Sequence, residues 1–281
     1  MTSFTAACIQ LNSARDIEPN LRVSADLIRR ARDAGAELVM TPEVSDMIEP
    51  KRALRLAKAR DEAAHPMLAA FRDLARETGA YLLLGSIILR EGSERLANRS
   101  FLIAPDGAIA ARYDKIHMFD VDLPGGESYR ESAVFRPGER AVVAALPWGR
   151  LGMTVCYDLR FPQLYRALAQ DGADFLSVPS AFTVPTGMAH WHVLLRARAI
   201  ENGCFVFAPA QCGEHAEGRR TYGHSLIVAP WGDILAEAMD EVGFITATID
   251  LDRVAEARRA VPSLRHDRPF APLLKGSAGP V

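Results

Sequence analysis

Three side chains of this sequence are of the types that cleavage of a carbonyl–nitrogen bond requires. Cys156 offers a thiol nucleophile, Glu43 a carboxylate that can accept its proton, and Lys115 an ammonium group that can oppose charge on the carbonyl oxygen. A free thiol ionises only near pH ~8.5, so it needs such partners at neutral pH. The N–H of Tyr157, directly after the cysteine, would be a second donor to the oxyanion. Taken singly, each residue also has an ordinary structural explanation, such as a buried cysteine or an exposed lysine.

Each of the three residues comes at the end of a predicted strand. The strands are Glu37–Thr41 before Glu43, Ala108–Asp114 before Lys115 and Leu151–Val155 before Cys156. Side chains at the carboxyl ends of strands gather at one edge of an α/β sheet, which is where ligands bind. Phe182 and Thr183, which follow another predicted strand, are expected to line the same pocket as Tyr157. Asp158 is expected to pair with a nearby arginine and not to act as a catalytic acid.

The remaining pattern indicates an α/β fold with mixed sheets. Further strands are predicted at Phe4–Gln10 and Tyr81–Leu89, and helices from Asn20 to Gly35 and over His65–Thr78. No linker or repeat is visible, so one domain is expected over residues 1–281, with a C-terminal tail from about residue 262. Turns of the form Pro-X-Gly between apolar runs predict three β-hairpins, at Pro105–Gly107, Pro147–Gly149 and Pro230–Gly232.

Composition favours a small-molecule partner. With 49% hydrophobic residues, the 281-residue chain has ample material for a core, and its net charge of −2 is too small to recruit nucleic acid or an anionic membrane. We find no signal peptide and no apolar stretch of transmembrane length. The cysteines lack the spacing of a metal site or a disulfide framework, so the reducing cytoplasm is the expected location. They are Cys8, Cys156, Cys204 and Cys212.

Five segments in order along the chain resemble the nitrilase superfamily of carbon–nitrogen hydrolases. They read ELVMTPEVS, RYDKIHMFDVDLPGGESYRES, GRLGMTVCYDLRFPQLYRALAQDGADFLSVPSAF, TGMAHWHVLLRARAIENGCFV and TYGHSLIVAPWGDIL. The resemblance covers nearly the whole chain and implies a four-layer α-β-β-α sandwich that forms homodimers or higher homo-oligomers. It also implies an enzyme that needs no metal and no organic cofactor.

Carried onto this sequence, the resemblance implies a role for each residue of the site. Glu43 would be the general base, Lys115 the oxyanion stabiliser and Cys156 the nucleophile. Glu131, in SYRES, would line the pocket beside Lys115. Arg160, in CYDLRFP, matches an arginine that pairs with a substrate carboxylate in some members, a contact that suits its planar guanidinium.

Within the family, the motifs CYDLRFP, PSAF, LLRARAIE and YGHS resemble the Nit branch, which includes enzymes that act on short amides of 2-oxo acids. Within that branch, LLRARAIE and AQCGEH resemble the enzymes that act on deaminated glutathione. The implied reaction is amide hydrolysis through a cysteine thioester with release of ammonia, on a substrate of the deaminated-glutathione type. ω-Amidase, nitrilase and N-carbamoyl amino acid hydrolase activities remain alternatives, since all use the same three residues. His192 stands where the branch commonly has glutamate, which leaves the acyl preference open.

Other classes of protein compete with this interpretation. The chain could be a non-catalytic family member that binds or scaffolds. A protease-like triad is disfavoured, because its cysteine typically opens a helix whereas Cys156 is predicted to close a strand. A metal hydrolase is disfavoured because its potential ligands lack regular spacing. Those residues are His190 with His192, or Cys212, Glu214, His215 and His224.

Overall fold

The computed structural model describes residues 3–123 and 126–270, and two six-stranded sheets form its centre. The helices are α1 (Ile17–Asp33), α2 (Arg52–Lys58), α3 (Pro66–Thr78), α4 (Pro162–Gln170), α5 (Val184–Asn202) and α6 (Asp252–Ala260). The strands are β1 (Ser3–Gln10), β2 (Leu38–Met40), β3 (Tyr81–Glu91), β4 (Arg95–Ile103), β5 (Ile109–Asp114), β6 (Asp120–Asp122), β7 (Ser128–Arg130), β8 (Val142–Leu146), β9 (Gly149–Met153), β10 (Phe175–Ser177), β11 (Phe205–Ala208), β12 (Cys212–Glu214), β13 (Arg220–Tyr222), β14 (Leu226–Val228), β15 (Ile234–Glu237) and β16 (Gly243–Asp250).

Both large sheets have three parallel strands at their centre and antiparallel strands outside them. The first has the order β16-β1-β2-β3-β4-β5, with β1, β2 and β3 parallel. The second has the order β15-β14-β11-β10-β9-β8, with β9, β10 and β11 parallel. Two short ribbons, β6-β7 and β12-β13, lie outside the sheets. The carboxyl ends of the parallel strands therefore define one binding edge in each sheet.

Apolar side chains on both faces of each sheet produce four layers. Between the sheets, residues of the first such as Phe4 and Met40 share one core cluster with Met153 and Phe175 of the second. The outer face of the first sheet packs on α1 and α3, through residues such as Phe71. The outer face of the second packs on α4 and α5. This α-β-β-α arrangement confirms the predicted fold class. Within the described residues, no helix is both long and apolar enough to cross a membrane.

The three predicted hairpins are confirmed: each Pro-X-Gly turn joins an antiparallel pair, β4-β5, β8-β9 and β14-β15. The start of the first helix was predicted wrongly. Asn20 does not cap α1, which begins at Ile17; its side chain instead bonds to the backbone of Ala14 and Asp46. The predicted tail from about residue 262 lies partly outside the described residues, which end at residue 270.

The strand before the cysteine also ends earlier than predicted. β9 stops at Met153, and Cys156 opens a short 3₁₀ turn, Cys156–Arg160, instead of closing a strand. The reason is the backbone of Cys156, whose φ of 51° lies in the left-handed region that no strand can accommodate. The prediction that Cys156 closes a strand is therefore wrong.

Candidate active site

A cavity of about 300 Å³ opens where the carboxyl ends of the parallel strands of both sheets meet. Its wall includes Glu43, Lys115, Glu131 and Cys156. Glu43 follows β2 and Lys115 follows β5, both in the first sheet, whereas Cys156 follows β9 in the second. The fold thus brings together all the residues that the sequence proposed for catalysis.

Lys115 joins two carboxylates in the wall of this pocket. Its Nζ lies 2.9 Å from Oε1 of Glu43, and 3.0 and 2.9 Å from the two carboxylate oxygens of Glu131. The backbone N–H of Phe119 donates to Oε2 of Glu131 at 2.6 Å. Lys115 and Glu43 are almost fully buried, with side-chain exposures of 2% and 6%. Buried charges of this kind are held in one geometry because each oxygen and each proton has a partner.

Two further donors fix the Glu43 carboxylate. Asn98, on β4, donates from Nδ2 to Oε1 at 2.9 Å, and the backbone N–H of Ala181, in the loop after β10, donates to Oε2 at 3.0 Å. Ala181 belongs to the second sheet, so this bond connects the base to the half of the molecule that carries the cysteine. The Cys156 thiol borders the same pocket, and the charges of Glu43 and Lys115 both act on it.

The surroundings set the proton on each group. Burial opposes charge on Glu43, but the ammonium of Lys115 outweighs it, and the pKa of Glu43 is lowered. Burial also opposes charge on Lys115, yet the carboxylates of Glu131 and Glu43 hold its pKa well above the usual value. Burial first, and the charge of Glu43 second, raise the pKa of the Cys156 thiol well above its usual value, against the attraction of Lys115. At neutral pH the site therefore holds an ionised Glu43, a protonated Lys115 and a neutral thiol.

The backbone around Cys156 is held tightly. Its left-handed φ of 51° is costly for a residue with a side chain, and the N–H of Cys156 donates to the carbonyl of Pro179 at 2.9 Å. The loops that carry the site also approach each other at Gly85 on β3. A Cβ there would collide with the carbonyl oxygens of Thr41 and Pro42, next to Glu43, and would lie 2.7 Å from Pro179 Cβ. Only glycine allows this approach.

Asp158 connects the cysteine turn to the lysine strand. Its buried carboxylate accepts from the Tyr113 hydroxyl at 2.7 Å, from the N–H of His117 at 3.0 Å and from the N–H of Val155 at 2.9 Å. The His117 ring lies 2.7 Å away through Nδ1. Tyr113 and His117 flank Lys115 by two residues on each side. The expected structural role of Asp158 agrees with these contacts, but the expected arginine partner was wrong.

A model of the carbon–nitrogen hydrolase family matches residues 5–259 of this chain. The chain is 42% identical over 278 residues to a deaminated glutathione amidase of Yersinia enterocolitica, covering 95% of this chain and 94% of the relative. The chain belongs to the carbon–nitrogen hydrolase family. The predicted family and the predicted class of enzyme, a hydrolase of carbon–nitrogen bonds, are both confirmed.

Solved structures support the same assignment. The fold matches the NitFhit protein of C. elegans with a TM-score of 0.90 and 37% identity, over 95% of this chain and 66% of that longer chain. It matches an amidase of Nesterenkonia sp. AN1 with a TM-score of 0.78 and 28% identity, over 92% of this chain and 98% of that one. That amidase was solved as a mutant with acrylamide added to its active-site cysteine.

The predicted substrate-binding residues of this carbon–nitrogen hydrolase lie in two places. Tyr157, Phe182 and Thr183 line the pocket. Arg160 is not among the lining residues; its guanidinium lies 3.3 Å from Nδ1 of His190 and over the rings of Tyr157 and Phe182. Arg160 therefore lies behind two residues of the pocket wall without lining the cavity itself.

Several residues of this pocket were not identified from the sequence, among them three polar ones. Asn98 contacts Glu43 directly, and Arg55 and Arg219 lie in the pocket wall. A polar residue within the apolar strand LANRSFLI was a usable signal for Asn98. No local signal distinguished the two arginines, which lie in a basic helix and in a surface loop.

The hydrolase also has a histidine cluster outside the pocket lining. His192 Nε2 and His224 Nδ1 both contact Oε1 of Glu237, at 2.9 and 2.8 Å. His192, the residue that replaces the glutamate common in the Nit branch, thus pairs with an acidic side chain of this same chain. His192 and His224 belong to separate candidate groups in the sequence, and their contact through Glu237 was not predicted.

Proposed function

We propose that this enzyme hydrolyses a small carboxamide of the deaminated-glutathione type, through a thioester on Cys156. The observation that carries the proposal is the convergence of a neutral thiol, an ionised Glu43 and a protonated Lys115 in one pocket. The substrate class is supported by the 42% identity to an enzyme named for that activity.

In the first half of the proposed reaction, Glu43 takes the thiol proton as Cys156 attacks the carbonyl carbon. Negative charge then develops on the carbonyl oxygen, and the Lys115 ammonium and the Tyr157 N–H stabilise it. Glu131 keeps Lys115 in place through two hydrogen bonds. Glu43 next donates its proton to the departing amine, which leaves Cys156 as a thioester.

In the second half, the same carboxylate acts on water. Glu43, again ionised, takes a proton from a water molecule that attacks the thioester, and it returns this proton to the cysteine sulfur as the C–S bond breaks and the acid departs. No step requires a second base, because Glu43 alternates between base and acid while Lys115 remains protonated throughout.

The proposed substrate changes one expectation about the products. In deaminated glutathione, a 2-oxo acid is joined through its distal carbonyl to the amine of cysteinylglycine. Its hydrolysis therefore releases that amine, whereas ammonia is released only from primary carboxamides such as the substrates of ω-amidases. An assay that follows ammonia alone would miss the proposed reaction.

A product panel tests the proposal. Deaminated glutathione, a 2-oxo-acid ω-amide, an N-carbamoyl amino acid and a simple nitrile are compared, with the acid and the released amine or ammonia both measured. We expect the highest kcat/KM with deaminated glutathione, and mass spectrometry of quenched reactions should detect an acyl adduct on Cys156. A protein that only binds amides would give no adduct, and a preference for the nitrile would overturn the substrate class.

We also propose that the enzyme is a homo-oligomer of the cytoplasm. Helix α5 exposes Met188 and Val193, which are 72% and 68% accessible. Large apolar side chains that are exposed to solvent favour a contact with another protein surface. A reducing compartment suits a mechanism that depends on a free thiol. Light scattering should give at least a dimer, and a smaller species for Val193→Glu; a monomeric wild-type protein would contradict the assembly.

A further inference from the structure

Two arginines in the pocket wall have no role in the mechanism described so far. Arg55 lies on α2, and Arg219 directly precedes β13. They lie far apart in the sequence, and both are partly buried. Because their guanidinium groups border the same cavity as Cys156, they belong to the space that a substrate would fill.

Neither arginine forms an ion pair with any residue that the structure describes. Arg55 donates to the backbone carbonyls of Glu49 and Pro50, at 2.8 and 3.1 Å. Arg219 makes one long hydrogen bond, to the carbonyl of Ala181 at 3.5 Å, and its guanidinium lies over the Tyr129 ring, 5.9 Å from the centroid. Its buried Nε has no acceptor in the described chain. By contrast, Arg130 in the same wall is neutralised by Asp122 at 2.8 Å.

The two positive charges also repel each other. Burial, and then the charge of Arg219, lower the pKa of Arg55, and the carboxylates of Glu131 and Glu49 offset this only in part. Neither guanidinium has a direct ion-pair partner in the described chain, although the carboxylates of Glu43, Glu49 and Glu131 border the same cavity, and a bound anion would offset the remaining repulsion. The pocket wall can therefore accept a further negatively charged group beside the two arginines.

The position of Arg219 places that group close to the reacting carbon. Arg219 contacts the carbonyl of Ala181, whose N–H donates to Oε2 of Glu43 at 3.0 Å. One residue thus separates the guanidinium from the proposed base. In a 2-oxo-acid amide of five carbons, the carboxylate lies only four carbon–carbon bonds from the amide carbon, whereas the carboxylate of cysteinylglycine is farther from it.

We propose that Arg55 and Arg219 form the subsite for the carboxylate of the substrate's acyl group. This inference rests on the proposed function and assigns to these two residues the contact that the sequence had suggested for Arg160. Guanidinium groups suit such a contact because they bind a carboxylate through paired, charge-assisted hydrogen bonds.

The test compares three amides. One has the acidic acyl group, a 2-oxo-diacid monoamide; one is a neutral amide of the same length; and one is a neutral acyl group joined to glycine, with the carboxylate on the amine side. We expect Arg219→Gln and Arg55→Gln each to reduce the ratio of kcat/KM for the acidic amide to that for the neutral amide by about 10- to 100-fold. Arg219→Lys should recover part of this ratio, and circular dichroism checks that each variant is folded.

The ratio isolates the carboxylate contact from other effects. Arg219 also helps to lower the pKa of Glu43, but a change in that base affects both amides equally and cancels. Arg130→Gln is the matched comparator, because it removes a pocket arginine whose charge is already paired. Its ratio should stay closer to that of wild type. Arg160→Gln tests the earlier assignment: a larger fall there than in Arg219→Gln would overturn the proposed subsite.

Two other results would overturn the inference. An unchanged ratio in both glutamine variants would do so, as would a loss confined to the glycine amide. Binding of 2-oxoglutarate, measured by calorimetry, tests the subsite without turnover: the Kd should rise about 10- to 100-fold in each glutamine variant. If the wild type hydrolyses no acidic amide while the binding difference is observed, the proposed function fails and the subsite stands. Equal Kd values would refute the subsite even in an active enzyme.

Discussion

The two sheets hold their parts of the site in different ways. The first sheet supplies Glu43 and Lys115, which are fixed, together with Glu131 from the turn after β7, by charged side-chain hydrogen bonds of 2.9 to 3.0 Å. The second supplies Cys156, which is positioned by its backbone, with a left-handed φ and an N–H bonded to Pro179. The hydrogen bonds among the charged side chains are therefore formed before substrate binds, whereas the Cys156 thiol is positioned but not yet ionised.

This difference explains the order of events in the proposed mechanism. Lys115 stays protonated because neighbouring carboxylates balance its charge. Burial and the charge of Glu43 raise the pKa of Cys156, so these charges do not produce a thiolate before substrate binds. Proton transfer to Glu43 must therefore accompany attack on the substrate. Variants of the charged side chains and variants of the cysteine turn should therefore differ in their effects on activity and stability.

The largest expected effect comes from removing the nucleophile. Cys156→Ala should reduce kcat by at least about 10³-fold, because the covalent route is lost and only binding and electrostatics remain. The fold should persist, since alanine fits the space of the thiol. Activity is measured with the neutral amide and stability by thermal unfolding, and appreciable turnover with no acyl adduct would exclude Cys156 as the nucleophile.

The next effect tests the charged half. Lys115→Met should reduce kcat/KM by about 10²- to 10³-fold, the range for a lost oxyanion donor. It should also destabilise the fold by about 3–5 kcal/mol, because Glu43 and Glu131 are left buried without their shared counterion.

A matched double variant separates the two consequences of losing this lysine. Lys115→Met with Glu131→Gln removes one charge of each sign, so denaturant unfolding should show most of the stability restored while activity stays low. If the double variant recovered activity as well, Lys115 would have only a structural role.

The sequence predicted the strands and turns around this site better than it predicted how the site residues come together. Local patterns located the three hairpins and the strands before Glu43 and Lys115, because Pro-X-Gly turns and apolar runs act over a few residues. The left-handed backbone of Cys156 was not predictable, since it depends on contacts with the loop at Pro179. The family resemblance, and not the spacing of the residues, is what joined the two sheets in one site.

The pocket arginines show the limit of local patterns most clearly. Arg55 lies in KRALRLAKAR, where Arg52 is exposed and nothing in the segment distinguishes the two. Arg219 belongs to a loop far along the chain, and only the packing of the two sheets brings it near Arg55. Asp158 gives the same lesson, since its partners Tyr113 and His117 lie about forty residues earlier in the chain.

A smaller effect is expected when the hydrogen bonds of Asp158, which connect the turn at Cys156 to the segment around Lys115, are weakened. Asp158→Asn exchanges a buried carboxylate for an amide that offers the N–H of Val155 and of His117 a weaker acceptor. We expect a loss of about 1–3 kcal/mol in stability and roughly a tenfold lower kcat, with KM less affected. Tyr113→Phe, which removes one of the bonds to Asp158, is the milder control. Equal effects of both variants on kcat would argue against a connection made by Asp158 as a whole.

The smallest expected effect is a shift in the acid limb of the pH profile. Lys115 holds the pKa of Glu43 below its ordinary value of about 4.3, so kcat/KM for the neutral amide should be flat from pH 6 to 8 and should fall only in strong acid. The raised pKa values of Cys156 and Lys115 place no further titration in that interval. The contribution of Glu43 to stability has the same sign: it is present above the unfolded pKa and is lost as the pH falls through the lowered folded pKa. Activity and stability should therefore decline together at the acid end.

Arg219→Gln should move the acid limb of the profile slightly towards higher pH, because the charge of Arg219 also favours the ionised form of Glu43. A limb between pH 6 and 8 in the wild type would instead indicate a preformed thiolate pair, and the contrast drawn between the two halves of the site would be wrong.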